Sequence, residues 1–290
     1  MKPYDLIIIG GGPAGIGAAL QAGRTGRKVL LAEKDTLGGR LNHAFLVKNF
    51  PSGAPEGISG KTVVRGLVKQ LKALDISIIQ GICQTIDHSN DAFRVQIQGQ
   101  SYSSQAVILA GGLEPKKLIV PGAGEAFEQK RLVYYWSNIP RSLKNKAVVI
   151  IGGGEVALDQ ACSLAFRGAR VTVLVRGEEM KAYPGLIKMA VDLGVKIKYN
   201  YAIKCIGLKG PELLLEGQAD RTFICDCAVA AIGSVVPNTI FSSRAKKLMN
   251  KGLYLAGDLA DKEHKQAALA FGSGVKAALM AGEYLKRKKI

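Results

Sequence analysis

Two stretches of the chain carry the same succession of apolar and small residues. From Asp5, the run Leu6 to Ile9 breaks into three glycines, continues through "PAGIGAALQAG" and returns as the apolar run Val29 to Ala32 before Glu33. From Ala147, "VVII" breaks into three glycines, continues through "EVALDQACSLAF" and returns as "VTVLV" before Arg176. Laid together without a gap, Gly10 falls on Gly152, Gly12 on Gly154 and Gly26 on Gly168. Short unbroken apolar runs predict strands buried on both faces, and the segments between them predict helices that begin with small residues. Each stretch is a strand-turn-helix-strand unit, and the unit occurs twice.

A second pair of echoes, "AVILAGGLEP" (Ala106 to Pro115) and "AVAAIGSVVPN" (Ala228 to Asn238), reads as apolar strands closing in Gly and then Pro. Such strands are expected where the chain leaves a nucleotide-binding domain. Near the end, a strand stopping at Gly257-Asp258 precedes a long helix of small residues. With 290 residues the chain exceeds one typical domain of ~100 to 200 residues and suits two. Its longest early apolar run, Leu6 to Leu20, is broken by glycines and a proline, which predicts folded, soluble sequence without a signal peptide or membrane span. The fold class expected is α/β, with two Rossmann-like dinucleotide-binding domains of three layers.

The glycines have definable tasks. Gly10 makes the tight turn, Gly12 lets backbone approach a pyrophosphate, and Gly15 brings helix close to strand; in the second unit Gly152 and Gly154 are kept and Ala157 takes the third place. A helix N-terminus then offers unpaired N–H groups to the phosphates. The ends of the second strands differ. Glu33 aligns with Val175, and Lys34 with Arg176. An acidic residue accepts hydrogen bonds from adenosine ribose hydroxyls, whereas Val cannot, and a following Arg suits a 2′-phosphate. The first site reads as FAD and the second as NADP, the alternative being a solvated Arg176 beside a second FAD or an unused site.

Charge and cysteines narrow the class. Forty Lys and Arg against 23 Asp and Glu give a net charge of +17, which points to an acidic partner or to a solvated cationic surface; no nucleic-acid-binding signature accompanies it. The five cysteines, Cys83, Cys162, Cys205, Cys225 and Cys227, show no C-x-x-C and no metal-ligand spacing, which predicts a reducing compartment, the cytoplasm. Cys225 and Cys227 alternate with Ile224 and Asp226, so both are expected to face one side of a strand and to pack there.

The motifs "GGGPAGIGAAL", "LGGRLN", "VKNFPSG", "VILAGG", "IIGGGEVALDQA", "AAIGSVVPNT" and "AGDLADKEHKQAALAFGSG", in that order and nearly end to end, resemble the low-molecular-weight thioredoxin reductase family. The resemblance implies a discontinuous FAD domain, 1–114 and 242–290, with an NADPH domain, 115–241, inserted, and a homodimer. It places Gly10, Gly12, Pro13, Ala14 and Gly15, Glu33 and Lys34, Gly39, Arg40 and Leu41, Asn49, Ala110 and Gly111, Gly257 and Asp258 around FAD. Lys265, Gln266 and Ala267 would present a helix N-terminus to the flavin, and Gly152, Gly154, Glu155, Val156 and Arg176 would hold NADPH.

The family's C-x-x-C lies just before the second glycine cluster, where this sequence has Tyr135 and Asn138. Neither residue can form a thiolate. The expectation is an FAD-dependent NAD(P)H oxidoreductase that is not a thioredoxin reductase, passing electrons to an external acceptor with no side chain acting as catalytic acid or base. Ferredoxin or flavodoxin is one candidate acceptor and a small molecule such as a disulfide, quinone or oxygen another, and a non-catalytic FAD-binding subunit is the alternative to an enzyme. Tyr134, Tyr135 and Trp136 either pack at the domain junction or cover the flavin.

Overall fold

The computed structural model describes residues 3–51, 55–139, 142–218, 221–237, 248–249 and 251–288. They form two compact units, one of residues 1–42, 47–114 and 236–290, the other of 43–46 and 115–235. The expected boundary at 241/242, with Asn238, lies outside the described residues, as does Lys289. Segment 43–46 was expected in the first domain but groups with the second unit, because its backbone and ring contacts are made there, as described below.

The first unit begins with β1 (Tyr4–Ile9), α1 (Pro13–Arg24) and β2 (Val29–Glu33), followed by α2 (Gly60–Lys72) and β3 (Ile76–Gln80). A meander of β4 (Cys83–Ser89), β5 (Ala92–Ile97) and β6 (Gln100–Leu109) follows. The sheet order is β3-β2-β1-β6-β5-β4; β1, β2, β3 and β6 run parallel, and the meander is antiparallel. Leu6 to Ile8 and Val29 to Ala32 are at most 1% exposed, as a parallel sheet covered on both faces requires. β5 instead alternates, with Phe93, Val95 and Ile97 inward and Arg94 and Gln96 outward. The chain passes between the units at two-residue strands, β7 (Glu114–Pro115) and β16 (Ser234–Val235).

The second unit contains α3 (Ala123–Glu128), β8 (Leu132–Val133), β9 (Ala147–Ile151), α4 (Glu155–Phe166), β10 (Arg170–Leu174), α5 (Pro184–Asp192) and β11 (Lys196–Lys198). Its parallel sheet, ordered β11-β10-β9-β15-β8, is completed by β15 (Cys227–Ala230). A separate antiparallel sheet holds β12 (Ile203–Lys209), β13 (Glu212–Gly217) and β14 (Thr222–Cys225). Back in the first unit, β17 (Leu253–Leu255) adds parallel to β6, and α6 (Ala267–Arg287) closes the described chain.

In both units the strand order reverses beside the glycine-bearing strand: β1 lies between β2 and β6, and β9 between β10 and β15. The crevice at the carboxyl ends of strands about such a reversal is where open α/β sheets bind ligands. α6 reaches the first crevice through a contact of small residues, since a Cβ on Gly274 would lie 1.8 Å from the Ala14 carbonyl oxygen. No described helix is long and apolar enough to cross a membrane.

Candidate functional site

In the first unit the chain leaves β1 at Gly10, whose φ of +103° a side chain would strain. A Cβ there would also lie 2.4 Å from the Ala110 carbonyl oxygen, and one on Gly15 would lie 1.7 Å from the oxygen of Gly10. These two glycines are required by the protein itself. Gly12 and Gly111 differ: nothing stands within 4 Å of where a Cβ would be, so their backbone is open to a ligand. Gly12 is the N-cap of α1 and makes no side-chain cap; Pro13 occupies the first helical turn with Ala14 buried behind it. The helix therefore offers its free N–H groups to an anion.

Around this turn, Glu33 accepts the Gly11 N–H at 2.5 Å and the Asp35 N–H at 2.8 Å, one through each oxygen. An ionised carboxylate has about four acceptor positions, so it keeps capacity for ribose hydroxyls. Lys34 instead points to Glu114, 3.0 Å away and half exposed. Gly39, Arg40 and the buried Leu41 lie on a 3-10 turn (Gly39–His43), and Gly38 N–H donates to the Gly11 carbonyl at 2.7 Å. Ala110 N–H donates to Ile9.

Arg40 lies 3.7 Å from Asp258. Burial raises the Asp258 carboxyl above the ordinary carboxylate range, opposed by Arg40 and Lys265. Asn49 donates to Gln266 at 2.7 Å, and Gln266 is the N-cap of α6 without side-chain capping, so the N–H groups at Ala267 remain available beside exposed Lys265. Ser273, which the sequence did not flag, accepts the N–H of Gly257 at 3.0 Å and fixes the turn that carries Asp258. Its only signal was a polar residue in the small-residue stripe "FGSG". The open glycines, two uncapped helix N-termini and the Glu33 carboxylate with acceptor positions to spare fit a flavin dinucleotide.

In the second unit Gly152 has φ +147°, and a Cβ there would lie 2.3 Å from the Ala231 oxygen. Gly154 caps α4 without a side-chain bond; Glu155 and Val156 in its first turn are exposed. Lys181 N–H donates to Gly153 at 2.6 Å and holds the loop after β10 against the glycine turn. Arg176, on that loop, is exposed and has no ion pair or hydrogen bond among the described residues. The turn and the available cations fit a second dinucleotide.

Between the two strand-turn-helix units, the segment that begins at β8 packs inside the second unit. Trp136 is 9% exposed; its N–H donates to Gln160 and its indole to the His43 carbonyl, at 2.8 and 3.0 Å. Arg167 lies over its ring. Tyr135 stacks on the His43 imidazole, centroids 4.3 Å apart, and Ser137 Oγ lies 2.8 Å from His43 Nδ1. Packing therefore accounts for Trp136. Phe45 N–H donates to both oxygens of Asp159 on α4, at 3.1 and 3.0 Å.

Burial pushes Asp159 up from its ordinary 3.8 to about 6, against the backbone donors Phe45 and Leu46. A carboxyl raised on folding stabilises the fold fully below its unfolded pKa and loses that contribution as pH rises through its folded value. Asp159→Asn, which keeps an acceptor but cannot ionise, should therefore flatten the stability profile between pH 4 and 6. It should remove up to about 3 kcal/mol of pH dependence. Melting temperatures of parent and variant across that interval check it; parallel profiles would refute it.

The cysteine expectation needs correction. Cys225 ends β14 and packs with Leu213, Leu215 and Tyr201, whereas Cys227 begins β15 and packs with Val148, Ile150 and Val229. They face different clusters because the chain bends at Asp226, whose carboxylate accepts from Lys146 Nζ and Ala147 N–H, both at 2.8 Å. Both thiols are buried, and burial raises Cys225 to about 12, so packing is their role.

Two Rossmann-like sheets, each with a glycine turn at its strand-order reversal, define an α/β protein of the dinucleotide-binding class. The family model for "Pyridine nucleotide-disulphide oxidoreductase" matches residues 4–274, and the chain belongs to that family. A thioredoxin reductase of Ureaplasma parvum is 31% identical, the alignment covering 98% of this chain and 97% of the relative. One of Chlamydia pneumoniae is 30% identical over 97% and 98%. The crystal structure of T. acidophilum thioredoxin reductase shares the fold, with TM-score 0.85 and 22% identity over 100% of both chains. The chain is an FAD-dependent oxidoreductase of the thioredoxin reductase type.

Proposed function

We propose that this chain passes electrons from NADPH to an external acceptor, a small acidic redox protein of the ferredoxin or flavodoxin kind, without a redox dithiol of its own. The observation that carries the reading is the pair Tyr135 and Asn138 where the relatives' motif is expected, in a chain whose five cysteines include no C-x-x-C. The four cysteines at 83, 162, 225 and 227 are buried, and the fifth, Cys205, donates to Glu216 at 2.9 Å, which raises its thiol. None is a low-pKa, exposed thiolate suited to disulfide exchange. Five free thiols also suit a reducing compartment such as the cytoplasm.

A bound flavin would supply the electron chemistry, taking reducing equivalents from a nicotinamide. The chain's residues bind and orient. Gly12 and the α1 N-terminus would receive the pyrophosphate, Glu33 the adenosine ribose and Asp258 a ribityl hydroxyl. The α6 N-terminus, with Lys265 beside it, would favour negative charge at the ring edge. Gly154 and Arg176 would hold NADPH at its pyrophosphate and 2′-phosphate.

An anaerobic titration with NADPH, followed in the visible, tests the reading. The purified or reconstituted protein is expected to be yellow, to release FAD rather than FMN, to bleach with NADPH and to leave thioredoxin oxidised. Release of FMN alone would overturn the cofactor assignment. Reduction of thioredoxin at enzyme-like rates would overturn the loss of the dithiol route.

A further inference from the structure

The net charge of +17 has a local concentration on α2. Lys61, Arg65, Lys69 and Lys72 are all exposed, and at 3.6 residues per turn they fall within about 80° of one another on the helix surface. Val63, Val64, Leu67 and Leu71 occupy the opposite side and are buried. The helix contains no acidic residue, and none of the four cations has an ion pair among the described residues. Glu56 and Asp75, exposed beyond either end of the helix, are the nearest carboxylates in sequence.

This arrangement opposes helix stability. Lys61, Arg65 and Lys69 are like charges at successive i,i+4 positions. Lys69 and Lys72 suit the C-terminal end of the dipole, but Lys61 lies in the first turn, where a cation is unfavourable. Something other than the helix therefore accounts for the stripe. The buried apolar side leaves α2 nothing to insert into a lipid surface, since Thr62, Gly66 and Gln70 are the other exposed residues on the helix. No aromatic residue interleaves the cations to stack a base.

The helix is mounted on the loop that carries Asn49. Val47 and Ile58 exchange backbone hydrogen bonds of 2.7 and 3.0 Å just before the Ser59 N-cap, and Asn49 bonds to Gln266 at the head of α6. Val64 packs under Gly38, where a Cβ would meet it at 2.4 Å. Lys48 and Lys265 extend the same sign of charge along this path.

We infer that the exposed face of α2 is the docking surface for a carboxylate-rich electron-carrier protein. The inference rests on the acceptor reading above and places that acceptor against Lys61, Arg65 and Lys69. Charge complementarity steers such encounters, and electron transfer needs only a small, short-lived interface.

The test uses the holoenzyme, an acidic [2Fe–2S] ferredoxin as probe and the triple variant Lys61→Glu, Arg65→Glu, Lys69→Glu. A neutral variant with Gln at the same three positions guards against misfolding. A control reverses Lys196, Lys204 and Lys209, exposed on the second unit, for the same change in net charge. At about 0.01 M salt the triple variant should lose at least about tenfold in the rate of ferredoxin reduction and in ferredoxin binding. The fall in rate between about 0.01 and 0.1 M salt should flatten. Reduction of the flavin by NADPH should be unchanged, and the control should lose less than about threefold.

Equal losses in variant and control, or no loss in the variant, would overturn the assignment of α2 while leaving the acceptor reading intact. Parent enzyme that binds ferredoxin through α2 but passes it no electrons would support the surface and sink the acceptor reading. Parent enzyme that neither binds nor reduces ferredoxin or flavodoxin would overturn both. Loss of binding to phosphatidylserine vesicles with ferredoxin binding unchanged would overturn the surface in favour of a membrane.

Discussion

Gly12→Ala should fold as the parent chain does and bind FAD weakly, whereas Gly15→Ala should be destabilised before any cofactor is offered. Both glycines belong to one motif, and the structure separates their tasks. At Gly12 φ is −72°, a value open to any residue, and a Cβ would meet nothing within 4 Å. The substitution therefore leaves the apo-protein within about 0.5 kcal/mol of its parent, the range of changes that touch no packed group. The methyl group occupies the space that a pyrophosphate would take. At Gly15 the new Cβ would stand 1.7 Å from the backbone oxygen of Gly10. No rotamer relieves that contact, so α1 or the turn must move, at a cost at or above the ~1 to 3 kcal/mol of ordinary overpacking. Thermal unfolding with and without added FAD checks both. A ligand that binds only the folded state raises stability by RT ln(1 + [L]/Kd). The parent should gain with FAD, Gly12→Ala should gain little from an unaltered starting point, and Gly15→Ala should start lower. Parental FAD affinity in Gly12→Ala would remove the dinucleotide from this turn.

Arg176→Glu should cost NADPH about 1.5 to 3 kcal/mol of binding and leave NADH almost unaffected. Arg176 follows β10, exposed and with no partner among the described residues, so its charge is available and its removal breaks no contact. The aligned position in the first unit is Lys34, which Glu114 engages at 3.0 Å, and the acidic residue before it, Glu33, is replaced by the buried Val175. Tertiary contacts thus engage Lys34 and leave Arg176 available. Lys181→Ala should have a smaller effect, because this side chain is exposed while its backbone already holds the loop to Gly153. The check is a titration of flavin reduction with both nucleotides. Equal use of NADPH and NADH by the parent would sink the assignment.

How much of this was legible beforehand depends on whether a residue's task is local. Gly10, Gly12 and Gly15 could be read from spacing because the requirement is set by the backbone of a strand-turn-helix unit, and the repeat at Gly152 and Gly154 doubled the signal. The buried strands declared themselves as unbroken apolar runs, whereas the alternation of β5 became apparent only in the structure. The sheet order pairs β1 with β6, Leu6 opposite Ala106, while the bond from Asn49 to Gln266 and the contact of Gly274 with Ala14 join residues more than 200 positions apart, and no local pattern encodes such pairings.

The same holds where expectation and structure part. Cys225 and Cys227 have the spacing of one strand face, yet a bend at Asp226, stabilised by Lys146 and Ala147, sends them into different clusters. Segment 43–46 sits among first-domain residues in the sequence, yet Asp159, Tyr135 and the Trp136 indole supply its partners and group it with the second unit. The sequence by itself determined the two strand-turn-helix-strand units, their glycine turns and the last helix, since backbone sterics and apolar periodicity act over a few residues. Only the tertiary structure decided which charges are neutralised, which thiols are buried and which face of α2 is left cationic, because each depends on atoms brought close by the packing of distant segments.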